Sequence, residues 1–157
     1  MKQLLLLFIS LIAISSCGDQ KIDTTKARQE MEAREIKKVS EGEIVEKTMQ
    51  MGDERSANFQ IDMLNEGNYT FSGENPADEK AGFISFTEIE AFDGKRFQVF
   101  DAYAYNAENG ITSEPGVQIL EGDTIILYTK PAYYDEQVKG IYFIEFKRKT
   151  VVLSIDK

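Results

Sequence analysis

Apolar and polar positions follow two different rhythms along this chain. In the first third, Thr25 to Val39 is rich in Ala, Glu, Lys, Arg and Met, with salt-bridge spacings such as Glu30 to Arg34, and reads as a helix with a thin apolar face. Ser40-Glu41-Gly42-Glu43 is a capping box, Ser at the cap and Glu three residues on, directly before Ile44-Val45. A second helix is expected from there to about Leu64. Its apolar positions Ile44, Val45, Thr48, Met51, Ala57 and Phe59 keep the 3.6-residue period only in part, and Gly52 is a weak point in its middle.

Beyond Asn65 the period shortens to two. Asn65-Glu66-Gly67-Asn68 and Ser72-Gly73-Glu74-Asn75-Pro76 are turn chemistry, and the polar stretch from Pro76 to Gly82 is a connection. β-rich runs follow at Phe83–Glu90, Arg96–Tyr105, Val117–Leu120, Thr124–Tyr133, Gly140–Phe146 and Thr150–Ile155, divided by turn signals such as Phe92-Asp93-Gly94 and Glu121-Gly122-Asp123. As a strand, Arg96–Tyr105 places Phe97, Val99, Asp101, Tyr103 and Tyr105 on one face. The pattern predicts an α+β domain: N-terminal helices packed on one face of an antiparallel sheet of about five strands. No repeat and no low-complexity tract interrupts it.

The extreme N-terminus is of another kind. Met1-Lys2-Gln3 precedes an uncharged stretch from Leu4 to Ile14, which as a helix rises only about 16 Å, roughly half a bilayer core. It reads as the apolar region of an export signal. Ile14-Ser15-Ser16-Cys17 resembles the bacterial lipobox, in which the Cys is diacylated and then becomes the first residue of the mature protein. The expected organisation is a lipoprotein signal peptide over 1–16, lipidated Cys17 with a short polar tether to 27, and a single domain over 28–157. Several acyl chains on one residue hold a protein firmly on a membrane without a span. Gly18 rather than Asp directly after Cys17 favours the outer membrane, and the absence of an acidic run there favours its periplasmic side.

Composition narrows the function classes. With 42% apolar residues, ten Phe and seven Tyr, the chain is too hydrophobic and aromatic to be disordered. It contains no His and one Cys, which excludes Ser-His-Asp and Cys-His hydrolases, HExxH metalloproteases, zinc fingers and intramolecular disulfides. The net charge of −9 becomes one unit more negative when the signal segment and its single Lys leave, so nucleic acid is not an expected partner. Neither GxGxxG nor GxxxxGK[ST] occurs, which disfavours nucleotide-dependent enzymes.

Two groups of segments have a family look. They are Glu32-Ala33-Arg34-Glu35-Ile36-Lys37-Lys38-Val39-Ser40-Glu41-Gly42-Glu43-Ile44 in the helical part, and Leu127-Tyr128-Thr129-Lys130-Pro131 followed by Lys139-Gly140-Ile141-Tyr142-Phe143-Ile144-Glu145-Phe146 near the end. Together they resemble the PAS-like periplasmic sensory domains of unknown function that often carry a c-type haem. In such domains a strand ending in Tyr-x-x-Pro leads into a Cys-x-x-Cys-His attachment loop, and a Gly-centred final strand closes the sheet. Here Pro131 runs through Ala132 to Val138 directly into Lys139-Gly140, with neither Cys nor His. The resemblance implies a PAS-like fold and a small-ligand or sensory role, and the missing residues remove covalent haem from it. No cofactor is expected.

The candidate ligand-binding residues are Tyr103, Tyr105, Tyr128, Lys130 and Tyr133, because Tyr supplies both apolar area and a hydroxyl and these positions fall on adjacent expected strands. The same tyrosines also suit a half-buried sheet with no ligand, and Lys130 a solvent-facing strand. Acidic residues are numerous, among them Glu88, Glu90 and Asp101 and the adjacent pairs Asp53-Glu54 and Asp78-Glu79, but none has the DxDxDG spacing of a calcium loop. Solvated acids account for them better than a metal or a catalytic pair. A non-enzymatic envelope protein is expected, its partners a membrane through the acyl chains and a small molecule. The alternative is an interaction or structural module docking another envelope protein.

Overall fold

The computed structural model describes Thr25 and residues 39–155, apart from 66, 75–78 and 121. Thr25 is helical and exposed; the rest of the expected first helix up to residue 38, the signal segment, Cys17 and the tether lie outside the described residues. Val39–Lys157 forms one compact unit.

Helix α1, Glu41–Ser56, starts as its capping box dictates. Ser40 Oγ accepts from the Glu43 backbone N–H at 3.2 Å, and the Glu43 carboxylate accepts from the Ser40 N–H at 2.8 Å. The helix does not reach Leu64. Ala57 caps it, and β1 (Gln60–Asn65) pairs antiparallel with β2 (Asn68–Ser72) through a turn in which Gly67 takes φ +83. The physical reason is the alternation of Phe59 and Ile61 with polar Gln60 and Asp62: both apolar side chains are buried, which a helix at that spacing cannot achieve.

The main sheet is four-stranded and antiparallel, in the order β3 (Lys80–Ser85), β6 (Gln137–Lys147), β5 (Ile125–Tyr134), β4 (Gly116–Ile119). Two of the expected strands are helices. Arg96–Tyr105 belongs to α2, Gly94–Glu108, which buries Phe100, Tyr103 and Ala104 at helical spacing; Ala102, Ala104 and Ala107 favour that choice over the aromatic alternation. Thr150–Ile155 belongs to α3, Arg148–Ile155, whose Val151 is fully buried while Val152 and Ile155 pack beside it. Those three lie at i, i+1 and i+4, one face of a helix, and this outweighs the strand preference of Thr150-Val151-Val152. Strand β3 also ends earlier than expected, at Ser85, where Glu88 accepts from the Ser85 N–H at 3.1 Å and a short 3-10 turn, Ile89–Ala91, follows.

Among the described residues the domain is therefore α+β, with three helices, a hairpin and a four-stranded sheet. Helices cover both faces of that sheet rather than one. Along β5 and β6, Ile126, Tyr128, Ala132, Tyr142, Ile144 and Phe146 pack with Ile44 of α1, Val151 of α3 and Phe59 and Ile61 of the hairpin segment. Leu127, Ile141 and Phe143 point the other way, against Phe100, Tyr103 and Ala104 of α2. β5 and β6 are buried on both sides, which explains their near-continuous apolar sequence.

Three local features fix this arrangement. Strand β4 pairs only as far as Thr129, so Pro131 falls where β5 has one neighbour and its missing N–H is tolerated. The β5–β6 turn is two residues long, Asp135 and Glu136 at φ 51 and 64, a geometry matched to the twist of a hairpin. Gly140 lies so close to β3 that an added Cβ would stand 2.2 Å from the Ile84 carbonyl oxygen.

Candidate functional site

Helix α2 is drawn over β6 by its own sequence. Arg96 donates to the Glu145 carboxylate of β6 at 2.8 Å, and that hydrogen bond raises the guanidinium pKa further. Phe100 packs edge-to-face on Phe92 at 5.0 Å and lies against Phe143. With α2 held there, the edge strand β4 is left uncovered on this face, and the gap is a cleft of about 440 Å3, within the size range of small-ligand sites.

The cleft has a helix wall, a strand wall and a closed end. Lys95, Gln98, Ala102 and Asn106 come from α2 at helical spacing, while Gly116 and Gln118 come from β4. Tyr103 and Thr129 form the floor. The Tyr103 hydroxyl donates to the Glu114 carbonyl at 2.7 Å and lies 3.1 Å from Thr129 Oγ1. Burial raises its pKa, with the Thr129 contact opposing, so the phenol stays neutral and ties the loop after α2 to the sheet. Asn106 donates to Ser113 Oγ at 3.1 Å and closes the same end. At the other end Lys95 Nζ donates to the Ile119 carbonyl at 2.7 Å, which caps an outward-facing acceptor of the edge strand. The Gln98 and Gln118 amides, one on each wall, make no hydrogen bond within the described residues.

The five expected ligand residues do not share one face. Tyr103 and Tyr105 are on α2 rather than on a strand, and Tyr105 points to solvent with 59% exposure. Tyr128 is fully buried on the opposite face of the sheet from the cleft, and half-buried Lys130 follows it on that side by strand alternation. Tyr133 is 50% exposed near the end of β5. Only Tyr103 reaches the cleft.

Tyr128 has its own polar contacts. Its hydroxyl donates to Asp53 Oδ1 at 2.7 Å and sits 3.2 Å from Ser56 Oγ, both at the end of α1. Its ring occupies the space beside Gly52, where an added Cβ would be 2.2 Å from ring carbon. The helix weakness seen in the sequence is thus the seat of a buried aromatic ring. Desolvation is the first cause of this phenol's raised pKa, the Asp53 bond and charge adding to it and Ser56 opposing. The group locks α1 to the sheet and is closed to a ligand.

The acidic residues stay dispersed. Glu88 bonds its own turn, Asp101 is exposed on α2, and Lys130 stands across the sheet from both. Glu79 pairs with Arg55 at 3.2 Å with 5% of its side chain exposed. Among the described residues no three acids or Cys group as metal ligands, and no helix is long and apolar enough to cross a membrane. A covalent haem does not fit: the chain has no His, and the turn between β5 and β6 has no room for an attachment loop.

No family model matches the chain, and comparison with curated proteins and with solved structures finds no match. The cleft residues Lys95, Gln98, Ala102, Asn106 and Gln118 were not singled out by strand periodicity. The signal for the four on α2 was the stripe Lys95, Gln98, Val99, Ala102, Tyr103 and Asn106, spaced as one face of a helix; Gln118 alternates on β4.

Proposed function

We propose that this chain is a lipid-anchored lipoprotein of the cell envelope whose domain binds a small ligand non-catalytically in the α2–β4 cleft. In this reading it is a haem-free relative of the PAS-like periplasmic sensory domains, held by acyl chains on Cys17 at the outer membrane and facing the periplasm. The observation that carries it is the cleft itself: an open space of about 440 Å3 with amides on both walls that have no partner within the described residues, and a hydrogen-bonded floor. Support for the kinship comes from the Tyr128-x-x-Pro131 strand running straight into the Gly140 strand of an antiparallel sheet. The lipobox over Ile14 to Cys17 supports the anchor.

The test is native mass spectrometry of the full chain extracted from its own membranes in mild detergent. The expected result is a polypeptide starting at an acylated Cys17, carrying a small molecule that the Ala102→Trp variant loses. A polypeptide without bound small molecule, unchanged by that variant, overturns the cleft as a ligand site.

A second reading, an interaction module for another envelope protein, is favoured by Met63 and Leu64, 43% and 68% exposed near the hairpin turn. It predicts an envelope protein that stays bound to the Ala102→Trp variant and is released by Leu64→Asn.

A further inference from the structure

The chemistry of the cleft narrows its occupant, on the reading that the cleft binds a small ligand. Two charged residues line it, in a chain of net charge −9, and they stand at opposite ends. Lys95 is in the first turn of α2 beside Ile119, the last residue of β4; Glu114 precedes β4 beside the last turns of α2. The two walls therefore run antiparallel and agree in length. From Lys95 to Asn106 the helix rises about 16 Å at 1.5 Å per residue, and the segment from Glu114 through β4 to Ile119 spans at most about 16 Å at 3.3 Å per residue.

The helix dipole has the same polarity as the charges, positive at the Lys95 end. Between the ends the polar lining is uncharged. The Gln98 and Gln118 amides each offer a carbonyl acceptor and an NH2 donor with no partner within the described residues, and Thr112 adds a hydroxyl. An amide facing an amide satisfies both its donor and its acceptor, which suits a peptide backbone.

We infer that the α2–β4 cleft takes a short zwitterionic peptide of about four residues, extended, with its carboxylate towards Lys95 and its ammonium towards Glu114. Its backbone amides meet Gln98 and Gln118. Apolar Val99 and Ala102 suit a peptide with small side chains, and Gly116 adds no side chain to the strand wall.

Isothermal titration of the full chain in detergent with tetra-alanine tests this, alongside the same peptide acetylated and amidated at its ends, and N-acetylglucosamine as an uncharged polar molecule of different class. The expected result is binding of tetra-alanine, weakened about tenfold or more by blocking the ends and about tenfold by Lys95→Gln. The Lys95→Gln loss should vanish for the C-amidated peptide, which carries no carboxylate. Ala102→Trp, at an exposed position, should remove all binding while leaving the thermal transition in place. Equal affinity for free and blocked peptides overturns the zwitterion. Binding of N-acetylglucosamine but not peptide, abolished by Ala102→Trp, overturns the peptide class and leaves the cleft a ligand site. Binding of neither probe overturns the peptide, and the native mass spectrum then decides whether the cleft holds anything.

Discussion

Tyr128 and Tyr103 stand on opposite faces of one sheet, and both are buried with raised pKa values, yet their surroundings differ. On the Tyr128 face, α1, α3 and the β1–β2 hairpin together cover the sheet, and the rings of Phe59, Phe71, Tyr69, Phe83, Tyr134 and Tyr142 pack edge to face or tilted at 5.0 to 6.2 Å. On the Tyr103 face a single helix does the covering. Its anchors, Arg96 and Phe100, set it over β6, so β4 keeps a bare flank. One face is sealed because several elements converge on it. The other is left with a cleft because one helix cannot span four strands.

The largest effects should be equal on the two faces. Phe146→Ala on the sealed side and Phe100→Ala beneath α2 each delete a ring that is at most 1% exposed, and each should cost about 3–5 kcal/mol in urea unfolding. A loss under about 1 kcal/mol for Phe100→Ala would mean that α2 is only loosely seated. The faces should separate at the next level. Gly52→Ala pushes a methyl group into the Tyr128 ring and should cost about 1–3 kcal/mol, whereas Gly116→Ala on the strand wall of the cleft meets its nearest atoms at 3.5 and 3.6 Å and should stay within about 0.5 kcal/mol. Equal costs for the two glycine variants would erase the contrast.

Smaller still is the Tyr128 hydroxyl. Tyr128→Phe removes the bonds to Asp53 and Ser56 and should destabilise by about 1 kcal/mol at neutral pH, read from the denaturation midpoint. The same phenol gives a pH signature. Tyr128, Tyr103 and Tyr142 all have pKa values raised mainly by burial. The unfolded chain therefore releases these protons first, near pH 10, while the folded chain holds them. Stability is unaffected below that point and falls as pH rises through and above it. The fall should be shallower in Tyr128→Phe, and parallel curves would place the alkaline transition elsewhere. The smallest effect is Ala102→Trp, within about 0.5 kcal/mol because the position is exposed.

Several elements were legible from local chemistry. The Ser40 capping box marked the start of α1, the Gly122-Asp123 and Asp135-Glu136 turns bounded β5 and β6, and alternation located β4 to β6 within a few residues. The two segments read as strands, Arg96–Tyr105 and Thr150–Ile155, fit either period. Phe97, Val99, Asp101 and Tyr103 alternate, but Phe100, Tyr103 and Ala104 also form a helical stripe, and only the partner surface decides between them. A strand over Arg96–Tyr105 conceals the cleft, because it makes the helix wall part of the sheet.

The sequence alone determined what needs no distant partner. Caps, turns and the absence of His follow from neighbouring residues and from composition. The tertiary structure decided what depends on residues far apart in the chain. Gly52 is a weak helix position until the Tyr128 ring, 76 residues on by their numbering, fills its place. Tyr103 of α2 and Tyr128 of β5 become a cleft floor and a helix lock only because they are buried on opposite faces of the same sheet. Local propensities differ by less than about 1 kcal/mol per residue, while burial of a large side chain is worth about 1.5–3 kcal/mol, so packing settles what local preference leaves balanced.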